Sequence, residues 1–181
     1  MGLRPARTCR NVNKVSWTRF SKRNPKKSYI KAMPHLGLNV YKMGKESDKY
    51  EMEYQLVAVA PVQLRDNAIE AARQAANKYM EKIALEQYMF RVMVFPHQVL
   101  RENKMISGAG ADRLQKGMRM AFGRTTDRAA RLSARQTLFI TRAGRDKEAM
   151  VIEAYRRAQC KMSGKFRLIK KELISAPVAA A

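Results

Sequence analysis

Two histidines, His35 and His97, and two cysteines, Cys9 and Cys160, are all that this 181-residue chain offers for imidazole or thiol chemistry. His97 follows Pro96 at a strand end with only Glu102 and Asp112 as nearby carboxylates, so it reads as a hydrogen-bonded structural residue rather than an acid or base. Neither cysteine belongs to a C-x-x-C pair, and both read as reduced thiols. A zinc site or a Ser-His-Asp constellation is short of parts. The run Gly108-Ala109-Gly110-Ala111-Asp112-Arg113 has Arg113 where a dinucleotide fingerprint needs its third glycine, and no Gly-Lys-Ser/Thr follows for a Walker loop. No catalytic residue, metal or cofactor is therefore expected. The glycines instead suit a backbone that lies close against nucleic-acid strands.

The chemistry that the chain does carry is electrostatic. Thirty-seven Lys and Arg face 15 Asp and Glu, for a formal charge of +22. Such self-repulsion points to a polyanionic partner. Residues 1 to 45 hold twelve Lys or Arg and no acid, the first carboxylate being Glu46. Within that stretch Arg4, Arg7, Arg10, Lys14, Arg19, Lys22, Arg23, Lys26 and Lys27 are interleaved with Trp17, Tyr29 and Tyr41, which pair phosphate-binding cations with surfaces for unpaired bases. A second cluster, rich in arginine, comprises Arg101, Arg113, Arg119, Arg124, Arg128 and Arg131. Arginine's planar fork suits phosphates, whereas a face meant only for solubility would mix Lys with Glu. The residues alone indicate an RNA- or DNA-binding protein and do not choose between the two.

The elements that must position these groups follow from composition and period. At 46% hydrophobic residues the chain can bury one core. No apolar run approaches the roughly 18 residues of a membrane span, and the basic start lacks a secretory apolar stretch, so the chain is expected in the cytoplasm. Residues 1 to 45 read as a basic extension with little core of its own, and 46 to 170 as the folded domain. Tyr54, Leu56, Val57 and Val59 form a strand-like run ending near Pro61, after which Asp66 offers an N-cap. Ile69, Ala72, Ala76, Tyr79, Met80 and Ile83 predict a helix over 66 to 84, and Tyr88 to Phe95 a strand. Between Arg101 and Arg131 four glycines and eight Lys or Arg mark a long, irregular insert. A strand around Leu138, Phe139 and Ile140 follows. Asp146 then caps a second helix with the stripe Val151, Ala154, Tyr155, Ala158 and Met162, and Phe166 to Ile169 is a short last strand. The methionines, Met93, Met105, Met118 and Met120 among them, read as gap-fillers in core or interface. Residues 171 to 181 read as a disordered tail. Two alternations of strand and helix favour a small α+β sandwich over a doubly wound sheet.

The insert separates RNA from DNA. Pro96-His97-Gln98-Val99-Leu100-Arg101-Glu102-Asn103-Lys104-Met105, followed by Gly110-Ala111-Asp112-Arg113-Leu114-Gln115-Lys116-Gly117-Met118-Arg119, closely resembles the signature of the large-subunit ribosomal protein family L-ten-e, the archaeal and eukaryotic counterpart of bacterial L-sixteen. The resemblance extends to Arg4-Pro5-Ala6-Arg7, Asn67-Ala68, Ala76-Asn77-Lys78-Tyr79-Met80, Ala121-Phe122-Gly123, Ile152-Glu153-Ala154 and Arg156-Arg157-Ala158, and covers about residues 3 to 170. Where the family commonly has Cys-Tyr-Arg and Pro-Tyr-Thr, this chain has Thr8-Cys9-Arg10 and Ser16-Trp17-Thr18.

This resemblance implies an α/β-hammerhead-like sandwich, with a mixed, mainly antiparallel sheet and two helices. It implies residence in the cytoplasm on the large ribosomal subunit, with large-subunit rRNA, aminoacyl-site transfer RNA, neighbouring ribosomal proteins and late assembly factors as partners. It also implies no catalytic activity. The segment 102 to 117 corresponds to a mobile loop near the peptidyl transferase centre, where Arg101, Asn103, Lys104, Gly108, Gly110, Asp112, Arg113, Gln115, Lys116 and Arg119 would stand. The basic extension, with Arg124, Arg128 and Arg131, would hold rRNA. The rival reading is a free-standing RNA- or DNA-binding protein outside the ribosome.

Overall fold

The chain enters its fold earlier than its charge pattern suggests. The computed structural model describes residues 5, 9, 30, 32–47, 49–105, 108–110, 113 and 117–173. Within the acid-free stretch, Leu38 is fully buried, Leu36, Tyr41 and Met43 pack against the core, and Lys42–Gly44 forms a first strand, β1. Charge alone predicts an extension with little core of its own, yet its last part is built into the domain. The reason is local composition, since Leu36, Leu38, Tyr41 and Met43 supply enough apolar area to outweigh the charge around them.

Met52–Ala58 is β2, in which Met52, Tyr54, Leu56 and Ala58 join the core while Glu53, Gln55 and Val57 alternate to the other face. Val62–Arg65, β3, follows Pro61 and leads directly into the helix Asp66–Ile83, α1. Tyr88–Val92 is β4, Gln98–Glu102 β5, Arg124–Leu132 β6 and Thr137–Ala143 β7. Glu148–Gln159 is the second helix, α2, and Phe166–Glu172 closes the fold as β8. One sheet has the order β1-β4-β7-β2-β8 and a second the order β3-β6-β5. All of these pairings are antiparallel. Among the described residues the fold is thus α+β, with the two helices α1 and α2 on antiparallel sheets.

Both helices lie on one side of the larger sheet. The α1 stripe Ile69, Ala72, Ala76 and Met80 and the α2 stripe Met150, Val151, Ala154, Tyr155 and Ala158 share a core with Tyr54, Leu56, Tyr88, Phe90 and Phe139. Phe90 meets Phe139 edge to face at 5.2 Å between ring centroids. Tyr155 is fully buried, and its hydroxyl donates to the Tyr54 carbonyl at 3.0 Å. With its one hydrogen so used, it accepts from Thr141 Oγ1 at 2.8 Å. Burial raises the Tyr155 phenol far above its ordinary value, so the group stays a neutral tie between α2 and the sheet.

Several expected elements take a different form. Asp66 does not cap α1 from outside; it is the first helical residue, and its carboxylate accepts the N–H groups of Gly37 and Asn67, each at 2.8 Å. It therefore anchors the incoming chain. Asp146 sits in a 3-10 turn, Arg145–Lys147, ahead of α2. The strand from Tyr88 stops at Val92 rather than Phe95, because Phe95 turns outward to stack on Tyr41 at 5.9 Å and to meet the His97 ring at a tilt, 4.6 Å between centroids. The last strand runs on to Glu172, since β2 offers a partner for each of its residues. The stretch read as an irregular insert contains the end of β5 and most of β6, which pair from Gln98↔Ala129 to Glu102↔Arg124.

On the face away from the helices, Glu53 is 7% exposed and its carboxylate accepts from Arg142 Nε at 2.8 Å and from Gln55 Nε2 at 2.6 Å. Burial alone would raise its pKa, but these two hydrogen bonds and the charges of Arg142 and Lys171 leave it lowered. A carboxylate lowered in the folded state stabilises the fold above its unfolded value, near pH 4.3, and that contribution is lost as pH falls through the lowered value. Arg142→Gln is expected to cost about 2 kcal/mol at pH 7 and to flatten the fall in stability below about pH 5. Urea titrations of both proteins from pH 7 to pH 3 check this; parallel pH profiles would count against the pairing.

Candidate nucleic-acid interface

The second cluster of cations is mounted on a β-hairpin. Its stem is β5 and β6, and β6 is held in turn by β3 through the register Val62↔Leu132 to Arg65↔Ala129. Where the stem ends, Gly123 is buried; a Cβ there would lie 2.4 Å from the Glu102 carbonyl carbon and 2.6 Å from the Asn103 nitrogen. Only glycine allows the two legs to close at that point. Beyond the closure, Gly108, Gly110 and Gly117 have φ of 144°, 76° and 56°, and a Cβ on any of them would meet nothing within 4 Å. The glycines thus serve two purposes, a tight neck and an open tip.

Each described cation of the hairpin has a distinct setting. Arg101, on β5, places its guanidinium 3.9 Å above the ring of Phe122, across the neck. Asn103 is half-buried just past the neck, with Nδ2 shielded from solvent and without a hydrogen-bond partner. Lys104 and Arg113 are exposed, and the Arg113 backbone N–H closes a turn on the Gly110 carbonyl at 3.2 Å. Arg119 is exposed in a 3-10 turn, Gly117–Met120. Arg124 is exposed at the top of β6.

The remaining two arginines of β6 also serve the fold. Arg128 is half-buried and its Nε donates to the Pro34 carbonyl at 2.8 Å; Arg131 Nε donates to Gln63 Oε1 at 3.1 Å. Gln63 in turn donates to the carbonyl of Cys9. These bonds fasten two points of the acid-free stretch, Cys9 and Pro34, to the smaller sheet. Arg4, Arg7, Arg10, Lys14, Trp17, Arg19, Lys22, Arg23, Lys26 and Lys27 lie outside the described residues, as do Asp112, Gln115, Lys116 and the segment from 174 onward.

Two features of the site are not evident from sequence. Phe122 supports Arg101 only because the hairpin brings them together, and their separation in the chain conceals the pairing. Met105, Met118 and Met120, read as gap-fillers, are exposed on the hairpin, Met118 at 67%. Exposed methionines beside arginines suit an irregular surface that packs on a partner. Met93 is also exposed, whereas Met80, Met89 and Met150 are buried as expected.

Relatives match this chain along nearly their whole length. A protein of Methanococcus aeolicus is 39% identical over 170 residues, which are 93% of this chain and 94% of that protein. One from Thermofilum pendens is 39% identical over 173 residues, 95% of this chain and 99% of its own, and one from Methanococcus maripaludis is 36% identical over 178 residues, 96% and 99%. Each of the three is named large ribosomal subunit protein uL16. Residues 16–169 match the family described as ribosomal protein L16p/L10e. With a match across most of the chain and archaeal relatives of equal length, this protein belongs to the ribosomal protein L16p/L10e family.

Proposed function

We propose that the protein is a structural constituent of the large ribosomal subunit that binds large-subunit rRNA near the aminoacyl-tRNA site. On this reading the basic extension and Arg124, Arg128 and Arg131 hold rRNA, and the hairpin tip approaches the peptidyl transferase centre and supports accommodation of transfer RNA. The protein positions RNA and performs no bond chemistry itself. The observation that carries the reading is the hairpin: a stem pinned to the body at Gly123 and a tip of open glycines beside Lys104, Arg113 and Arg119, in a chain aligned end to end with large-subunit proteins. A free-standing nucleic-acid binder has no need of that construction. The two readings part on one experiment, sedimentation of the endogenous protein with large subunits after a high-salt wash. Retention is expected; recovery only in the soluble fraction would sustain the rival.

The extension should dominate the salt dependence. Replacing Arg4, Arg7, Arg10, Lys14, Arg19, Lys22 and Arg23 by Gln is expected to weaken rRNA binding and to flatten the plot of log affinity against log salt, by a little under one unit for each phosphate that is no longer neutralised. An unchanged slope would place these cations away from RNA.

A further inference from the structure

The larger sheet has one face under the helices and one that no described helix covers. Register fixes what stands on the uncovered face. One row across the strands reads Lys42, Arg91, Ile140, Gln55, Ile169; the next reads Gly44, Met89, Arg142, Glu53, Lys171; Arg167 stands opposite Val57 beyond them. Within these paired positions five cations therefore stand with one carboxylate, Glu53, which is engaged by Arg142 and Gln55, while Glu46 and Glu51 lie just beyond the rows. Lys42, Arg91, Arg167 and Lys171 are all exposed. Among them Lys42 has only a loose pair, 3.9 Å from Glu46, with both side chains 64% exposed.

The helix side is built differently. In α1 the acids Asp66, Glu70 and Glu81 are matched by Arg73, Lys78 and Lys82; in α2, Glu148 and Glu153 are matched by Arg156 and Arg157. Neutralisation there is by direct contact: Arg73 Nε lies 2.9 Å from Glu70, Arg156 and Arg157 both bind Glu153, and Lys170, which points from β8 toward the helices, pairs with Glu148. The Glu153 carboxyl is held at about 2 by its two arginines. A surface that only needed solubility would show this same mixture on both sides. The sheet face has fewer such pairs, Arg142 with Glu53 and the loose Lys42 with Glu46, and leaves Arg91, Arg167 and Lys171 in excess.

Resting on the rRNA-binding reading above, we propose that the face of the five-stranded sheet opposite the helices is a further RNA-binding surface, seated on ribose-phosphate backbone through Lys42, Arg91, Arg167 and Lys171, with the helix layer turned away from RNA. Four interstrand spacings make the face about 19 Å wide, and Arg167 and Lys171 stand about 13 Å apart along β8. That is room for several phosphates. The side chains come from three strands of a rigid sheet, so their spacing is set before RNA arrives, unlike that of cations on a loop. The surface reads charge and shape, since phosphate contacts carry no base information.

The test uses the full chain and purified large-subunit rRNA. One variant carries Lys42→Gln, Arg91→Gln, Arg167→Gln and Lys171→Gln; a control with the same change in charge carries Lys78→Gln, Lys82→Gln, Lys147→Gln and Arg156→Gln on the helix side. The sheet variant is expected to lose about two to three units of salt slope and at least about tenfold in affinity, the control less than about half a unit. In the wild-type complex, acetylation of Lys42 and Lys171 should be suppressed while Lys78 and Lys82 stay reactive. Equal loss in both variants would reduce the effect to net charge and overturn the proposal, as would wild-type slope in the sheet variant. Protection seen in whole subunits but absent with rRNA alone would assign the face to an acidic protein neighbour and equally overturn it. Should the quadruple variant unfold in urea below the wild-type midpoint, Arg91→Gln and Arg167→Gln singly, both at exposed positions, provide the slope. Failure of the ribosomal reading is separately visible, as wild-type protein missing from salt-washed subunits.

Discussion

Large subunits whose copy of this protein lacks Ser107 to Asp112 are expected to translate about tenfold more slowly, equivalent to about 1.4 kcal/mol in an activation barrier, while containing normal amounts of the protein. Occupancy should hold because the deletion lies beyond the neck at Gly123 and removes no core residue, and because the stem pairing from Gln98↔Ala129 to Glu102↔Arg124 stays intact. Rate should fall because the tip retracts. Six residues taken from a chain that runs out and back shorten its reach by up to about 10 Å, at roughly 3.3 Å per extended residue. A hydrogen bond from the tip to RNA, as proposed, would not survive such a retreat, and Arg113 and Arg119 would be drawn in with it. Purified variant subunits, quantified for the protein and assayed for peptide synthesis, decide the matter. Normal content with wild-type rate would reduce the tip to a passive element; absence of the protein would make the tip an anchor for assembly.

The second large effect is expected at the neck. Gly123→Ala should destabilise the protein by about 3 kcal/mol, at the upper end of overpacking costs, because the new methyl would sit 2.4 to 2.7 Å from the backbone of Glu102 and Asn103 and no flexible side chain can give way. The stem must open to accept it, which would also separate Arg101 from Phe122. Gly110→Ala is the matched control. Its φ of 76° costs a side chain about 1 to 2 kcal/mol, but nothing lies within 4 Å, so the open tip relaxes and the global unfolding midpoint should hold. Urea unfolding of both variants, with amide exchange at Arg101 to Asn103, checks the contrast. Equal midpoints for Gly123→Ala and wild type would mean that the neck is looser than its geometry.

That contrast also marks what the sequence discloses. Every glycine between Arg101 and Arg131 looks alike in the chain, and only the pairing of β5 with β6 shows one to be a closure and the others an open tip. The helices are legible because their information is local: the stripes of α1 and α2 recur every three to four residues and are buried as expected. Strand β6 is not, since Arg124-Thr125-Thr126-Asp127-Arg128 shows no apolar alternation and becomes a strand through its pairing with β5, while Ala129 to Leu132 beyond it are held by β3. Strand β1 is hidden by the charge of its surroundings. The same holds for the interface. Excess charge is a property of composition and is readable, but which face bears it depends on register across five strands, so Lys42, Arg91, Arg167 and Lys171 stand out from other cations only in the folded sheet.

The position of β2 has a consequence for synthesis. Both of its neighbours, β7 and β8, come from the final 45 residues of the chain, and Leu173 N–H still bonds the Glu51 carbonyl at 2.8 Å after the last strand. A nascent chain therefore holds Met52 to Ala58, apolar on one face, open along both edges until Thr137–Ala143 has been made and along one edge until almost all of the message has been read. Local helices can form early, but the body cannot close before the end, and such non-local closure is slow and exposed to aggregation. Exposure of that strand during translation is thus a liability of this topology, and the charges of Lys49 and Glu51 before it and of Glu53 within it would oppose its aggregation.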